Sequence, residues 1–252
     1  MLVAQISDTH LVAAGPRRAA RLAALKQALE YIAALRPRPA AVIHTGDLTH
    51  NARPEQYELA RSCLSDLGVP LVAVPGNRDR RAGFLEAAPP AARPAGSRFV
   101  QFALDLGKAR ILALDTLEDG VGLGSYCDER FAELSGLLGQ GEGKATIVAL
   151  HHPPLCLPSV PGGSHFADEN AAHRLAVQLA RDPSVIGVLA GHVHRRASAS
   201  LGRASVETVP SLAVDLRKGI HMGRQQEGRP VILMHEVRES GLVTKAVALE
   251  PV

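Results

Sequence analysis

Five short apolar runs punctuate the chain: Leu2 to Ile6, Ala40 to Ile43, Leu71 to Val74, Ile147 to Leu150 and Val185 to Ala190. Each is about one strand long and is closed by turn formers or polar residues, so each reads as a buried strand. Two more strands are expected at Phe99 to Leu104 and Ile111 to Leu114, with Gly107 in the turn between them. The C-terminal part adds Ser205 to Val209, Val231 to Val237 and Leu242 to Leu249. Helices fall between the early strands. Leu22, Leu25, Leu29, Ile32 and Leu35 recur at three and four residues, along one helical face. Tyr57, Ala60, Leu64 and Leu67 repeat the pattern, with Pro54 suited to that helix's first turn. Further helices are expected from about Asp128 to Leu138 and from about Asp168 to Ala180, the latter turning Leu175 and Leu179 inward. Pro153 to Gly163 and Leu216 to Gly228 read as loops. This alternation, followed by a strand-rich tail from about residue 197, predicts an α/β layered fold with a large mixed sheet, in a single domain over residues 1–252.

Composition narrows the function. Hydrophobic residues make up 46% of the 252, enough for a core without disulfides. With aromatic content at 3% and no Trp, Leu, Val, Ile and Ala must fill that core, and few rings remain to stack on bases. The net charge is only +3, and arginine pairs such as Arg17-Arg18, Arg80-Arg81 and Arg195-Arg196 are scattered. No basic stripe marks a polymeric nucleic acid as partner, whereas a small anion fits. Three cysteines without paired spacing argue for a reducing compartment. No run approaches the roughly 20 apolar residues of a membrane span. A cytoplasmic protein with no membrane partner is expected, and a homo-oligomer is left open.

The chemistry is concentrated just after the first five runs. There stand Asp8-Thr9-His10, Thr45-Gly46-Asp47, Gly76-Asn77, His151-His152-Pro153 and Gly191-His192-Val193-His194. Any one of these is an ordinary turn. Together they bring ligand types to the carboxyl ends of strands, where open α/β sheets bind ligands. Imidazole and carboxylate without thiolate suit Mn, Fe, Zn or Co. Asp8, His10, Asp47, Asn77, His151, His192 and His194 are too many ligands for one such ion, but suit two if one carboxylate bridges them. A centre of this kind attracts phosphate and lowers the pKa of bound water.

These blocks resemble the signature of the calcineurin-like metallophosphoesterases: Asp-x-His, Gly-Asp, Gly-Asn-His-(Asp/Glu), His and Gly-His-x-His. The resemblance spans residues 8 to 194. It implies a four-layer α-β-β-α sandwich of two mixed sheets, with the metal site at the carboxyl ends of the strands. It implies two divalent or mixed-valence metal ions (Mn, Fe or Zn). The first is held by Asp8, His10 and His194, the second by Asn77, His151 and His192, with Asp47 as bridge. It also implies a metal-bridging hydroxide as nucleophile. Finer features are similar to class III cyclic nucleotide phosphodiesterases and related bacterial glycerophosphodiesterases: His151-His152-Pro153-Pro154, Glu169-Asn170 ahead of a helix, and Pro230 to His235. The expected substrate is therefore a small phosphodiester, a cyclic nucleotide or a glycerophosphodiester-like molecule. A phosphomonoesterase, or a non-catalytic scaffold on the same fold, is the alternative.

The third block departs from the signature, reading Gly76-Asn77-Arg78-Asp79 with Arg where the family usually has His. A guanidinium, with a pKa above about 12, cannot serve as an acid. It can clamp phosphate oxygens, and that is the role expected of Arg78, with leaving-group protonation falling to water or being less needed. The alternative is Arg78 turned to solvent or paired with Asp79. Asn77, His165 and His221 are further candidate substrate contacts. His44 is expected to be a core histidine or one supporting a ligand, and His50 to lie near the rim. His152 has either an orienting hydrogen bond or a structural place. His173 and His235 read as ordinary helix and strand positions, and Cys156 as a small apolar side chain.

Overall fold

The computed structural model describes residues 1–87, 97–158, 160, 162–217, 228–239 and 241–251. Along the chain run β1 (Leu2–Ile6), α1 (Arg17–Ala34), β2 (Ala41–His44), α2 (Pro54–Leu64), β3 (Leu71–Ala73), α3 (Arg81–Ala87), β4 (Phe102–Asp105) and β5 (Ala109–Ala113). There follow α4 (Asp128–Gly139), β6 (Ala145–Ala149), α5 (Glu169–Arg181), β7 (Val185–Ala190), β8 (Ala197–Leu201), β9 (Ala204–Thr208), a 3-10 turn (Val214–Leu216), β10 (Val231–Arg238) and β11 (Gly241–Ala248).

The period-two alternation of the strands decides the layering. Val3, Ala41, Ile43 and Val72 pack against Ile111, Ala113, Ile147, Ala149 and Leu189 in one cluster. Their neighbours on the opposite faces go elsewhere. Ala4, Ile6 and Val42 meet Leu25, Ala28, Ile32, Tyr57 and Leu64 of α1 and α2. Leu112, Val148 and Val188 meet Phe131, Leu134, Leu175 and Leu179 of α4 and α5. The single large sheet expected from the pattern is therefore two, in the orders β11-β10-β1-β2-β3 and β4-β5-β6-β7-β9-β8. Strands apolar on both faces need two covers, and here each sheet supplies one cover for the other. This is the four-layer sandwich of two mixed sheets that the family resemblance implies.

Local chemistry explains the helix boundaries. Pro54 opens α2, and the Asp168 side chain caps α5 by accepting from the Asn170 N–H. In α1 the buried stripe is Arg21, Ala24, Leu25, Ala28 and Ile32. It is rotated slightly from the leucine pattern, leaving Leu22 and Leu29 half-buried. β8 and α3 escape sequence reading because their patterns are weak. β8 reads ASASL with only its terminal residues buried, and α3 buries Phe84 alone.

Topology then aligns the site. β1, β2 and β3 are parallel, as are β6 and β7. Between the sheets the buried Gln5 side chain donates to Thr45 Oγ1 and to the Ala190 carbonyl, both at 3.1 Å. His235 lies on β10 and contacts Gln5 Oε1 through Nε2 at 3.0 Å, so it is the strand residue expected. The ends of β1, β2 and β7 thus share one edge. The strand-rich tail completes both sheets, β10 lying antiparallel against β1 with Leu2 opposite Glu236.

The inter-sheet layer should be sensitive to lost volume. Ile147→Ala, fully buried within it, is expected to destabilise the fold by about 2–5 kcal/mol. Urea unfolding measures this, and a loss under about 1 kcal/mol would mean that the layer closes over the gap.

Candidate metal centre

Loops leaving the strand ends carry an unusual backbone. Asp8, His10, Asp47, His192 and His194 all have φ between 43° and 69°. Among the described residues only Ala52 and Glu142 are other non-glycine residues with positive φ. Each left-handed residue costs on the order of 1–3 kcal/mol, and such strain persists only where the surroundings over-determine it. The restraint is visible. Asp8 N–H donates to the Gly46 carbonyl at 2.9 Å, His10 N–H to Asp47 at 3.0 Å and Leu11 N–H to Leu48 at 3.1 Å. Two glycines allow the close approach: a Cβ at Gly76 would overlap Asp47, and one at Gly191 would overlap Ser7 and Asp8.

All seven residues singled out from the strand ends converge. His10 Nε2 and His194 Nε2 are 3.1 Å apart, with Asp8 Oδ1 3.2 Å from His194 Nε2. On the other side Asn77 Oδ1 lies 3.1 Å from both His151 Nε2 and His192 Nδ1. Asp47 stands between the groups, Oδ2 3.4 Å from His10 Nε2 and Oδ1 3.7 Å from His151 Nε2.

Hydrogen bonds behind the rings aim them. His151 Nδ1 lies 2.7 Å from the Thr45 carbonyl and His194 Nδ1 2.8 Å from the Leu216 carbonyl. Each carbonyl accepts from the ring Nδ1–H, which turns Nε2 toward the centre. His44 sits beneath two ligand loops, as expected of a supporting histidine. It accepts from the Gly46 N–H at 3.3 Å, and its Nε2 meets Thr9 Oγ1 at 3.1 Å.

Groups whose role the sequence does not state complete the frame. The Asp79 carboxylate accepts from the backbone N–H groups of Leu48, Thr49 and Gly76 and from Thr49 Oγ1, all within 3.1 Å. It ties the Gly-Asp loop to the Gly-Asn loop and is not a partner for Arg78. Arg21 donates to the His10 carbonyl at 2.8 Å. Its signal was an arginine on the apolar stripe of α1, where a charge must find a partner. The Leu216 carbonyl has no side-chain signal at all.

The electrostatics fit cations. Burial pushes Asp47 well above the usual carboxylate range, and the Asp8 and Asp79 carboxyls add to the effect. Burial works against ionisation of Asp8, but the adjoining imidazoles of His194, His151 and His10 together outweigh it and hold that carboxyl low. Burial, reinforced by neighbouring imidazoles, keeps His10 and His192 well below the ordinary histidine value. Asp8 Oδ1 and His10 Nδ1 are buried without a hydrogen-bond partner among the described residues. Lowered imidazoles at His10 and His192 beside crowded carboxylates form a donor set that a metal cation would satisfy.

The other candidates fall around this centre. The Arg78 amide donates to Asp47 Oδ1 at 2.6 Å, while its exposed side chain forms no ion pair among the described residues. It lines a cleft of about 340 Å³ with His50, Asn51, Asn77, Arg80 and the Gly120–Gly122 segment. His50 is thus at the rim, its ring centroid 5.6 Å from that of His10. His165 packs beside His192 at 5.4 Å, and His221 lies outside the described residues. His152 is buried against His192 with Nδ1 2.8 Å from Thr116 Oγ1. One of its ring nitrogens lies within 4.8 Å of a ring nitrogen of His151 and of His192. Cys156 is exposed rather than packed.

Known proteins share this sequence and fold. The calcineurin-like phosphoesterase model matches residues 1–196. The glycerophosphodiester phosphodiesterase GpdQ of Enterobacter lignolyticus is 34% identical over 216 residues, which are 84% of this chain and 77% of that one. The 3′,5′-cyclic adenosine monophosphate phosphodiesterase CpdA of Pseudomonas aeruginosa is 26% identical over 225 residues, 87% of this chain and 79% of that one. A dimetal phosphatase from Danio rerio shares the fold, with a TM-score of 0.73 at 15% identity over 97% of this chain and 95% of that one. No helix among the described residues is long and apolar enough to cross a membrane.

The buried histidine beneath the loops gives an acid signature. Burial lowers the His44 pKa to about 4, whereas an unfolded chain protonates it near 6.5. Between those values the unfolded state holds the extra proton, so stability falls as pH falls, by about 1.4 kcal/mol per pH unit for one such group. His44→Gln should remove about one proton from that slope in urea unfolding of the metal-stripped protein. An unchanged slope would show that His44 takes up its proton without unfolding.

Proposed function

The chain belongs to the calcineurin-like phosphoesterase family, and from that premise we propose that it is a hydrolase of small phosphodiesters using two divalent cations. One observation carries the reading. The donors divide into two groups around a single carboxylate, Asp47, whose oxygens face His10 on one side and His151 on the other. Asp8, His10 and His194 would hold the first cation and Asn77, His151 and His192 the second, with Asp47 shared. When bound, the ions supply Lewis acidity toward the phosphoryl oxygens and a water of lowered pKa.

The protein's own groups do the rest. Carbonyls behind His151 and His194 keep those Nε2 atoms aimed inward. Arg78, at the mouth and free of ion pairs among the described residues, donates to the non-bridging phosphate oxygens and bears their growing charge. It has no proton to give, so the departing alcohol takes its proton from water. The cleft beside Asn77 receives an ester arm, its arginines and asparagine suiting an anionic, hydroxyl-bearing substrate. Relatives named for glycerophosphodiesters and for cyclic AMP support a small diester as the substrate. The same cationic cleft admits a dianionic monoester, the second reading. Comparing bis-nitrophenyl phosphate with nitrophenyl phosphate separates the two.

Chelation should abolish hydrolysis and added Mn restore it, and metal analysis should then find two ions per chain. Asp47→Ala should lower occupancy at both positions, Asp8→Ala chiefly at one and His151→Ala at the other. Full two-ion occupancy in Asp47→Ala would show the bridge to be misassigned. Arg78→Ala should leave metal content unchanged and lower kcat/KM roughly ten- to a hundredfold, the loss of one charge-assisted contact worth about 1.5–3 kcal/mol. Parent-like kinetics on diesters graded by leaving-group pKa would make Arg78 a bystander.

A further inference from the structure

We infer that the Arg21–Asp215 ion pair is a positioning device for the first cation site alone, setting that site's affinity separately from the second's. The inference rests on the two-site reading above.

Arg21 lies on the buried face of α1, only 2% exposed. A guanidinium there is costly unless every donor finds an acceptor. Nη1 donates to the His10 carbonyl at 2.8 Å. Nε and Nη2 grip Asp215 Oδ1 and Oδ2 at 3.1 and 2.8 Å, a planar two-point contact. Asp215 is the middle residue of the Val214–Leu216 turn, and the next carbonyl, that of Leu216, orients His194. One guanidinium therefore holds the backbone of one imidazole donor and, through Asp215, the turn that aims the other. Those two Nε2 atoms are 3.1 Å apart, and His10 is held in a left-handed conformation.

The second group is built differently. His151 is aimed by the Thr45 carbonyl just after β2, a backbone group that is not among the hydrogen-bond partners of Arg21. The Asp215 side chain is 38% exposed, so its partner is not needed to neutralise a buried acid. Arg17 reaches the same carboxylate at 3.3 Å but is itself exposed, which makes Arg21 the anchoring partner. A pair that merely fastened α1 would affect stability and both sites alike. A pair that aims His10 and His194 affects one.

The test is a Co²⁺ titration of the metal-stripped full chain, followed by calorimetry and visible absorption, for the parent, Asp215→Ala, Asp215→Asn and Arg21→Lys. The parent should bind two ions. Asp215→Ala should weaken one step by about 10- to 100-fold, the usual cost of losing a group behind a metal ligand, and change the other by no more than about twofold. Asp215→Asn, which keeps one acceptor, and Arg21→Lys, which keeps the charge without the fork, should show smaller losses at the same step. In an Asp8→Ala background, where the first site is already lost, Asp215→Ala should change nothing further. Equal weakening of both steps, no weakening, or an added loss in the Asp8→Ala background would overturn the inference. A parent that binds fewer than two ions would instead overturn the two-site reading itself.

Discussion

Two carboxyl groups buried within reach of each other cannot both be charged without a cation, and the arrangement of Asp8 and Asp47 imposes that condition on the rest of the molecule. Their oxygens lie within 4.8 Å of each other and of the His10 and His194 donors. Burial and mutual repulsion push the Asp47 carboxyl up, while the neighbouring imidazoles, His194 foremost, hold Asp8 down. Such a constellation would relax outward if its loops were free. Backbone bonds between the loops that carry Asp8 and Asp47, and the Asp79 carboxylate clamping the next loop, deny that relaxation. The left-handed residues are the visible cost, stored in the fold in a form that cation binding can use.

Much of this was legible in the sequence because it is local. An apolar run followed directly by a donor residue states both the strand and the place where its side-chain chemistry emerges. Asp8, Asp47, Asn77, His151 and His192 were read that way and converge. The division into two sheets was not legible from pattern. Ile147 and Val148 announce two buried faces without saying what covers each. Nor were the carbonyls of Thr45 and Leu216, since any residue offers a carbonyl. Arg21 lay between these cases: its place on an apolar stripe demanded a partner, but Asp215 is far away in sequence.

The Gly-Asn-Arg-Asp block shows how adjacent letters of a motif answer to different demands. Asp79 is wholly buried and serves the backbone of three other residues. At position 78 the frame uses only the backbone, the amide donating to Asp47 and the carbonyl accepting from Thr49 Oγ1 at 3.5 Å. Its side chain lines the cleft, so an arginine in place of the family's histidine leaves the frame alone and changes only the cleft.

The antiparallel pairing of β10 with β1 bears on where the catalytic unit ends. The donor set is complete in sequence at His194, and the family match stops at residue 196. In space it closes only later. β1, which leads into Asp8, is an interior strand because β10 lies beside it, and His194 is aimed from Leu216. A fragment cut where the motifs finish would keep every candidate donor and lose both the neighbour of the first strand and the carbonyl behind the last imidazole. The boundary of recognisable sequence is therefore not the boundary of the working site, and the less distinctive tail is part of the machinery.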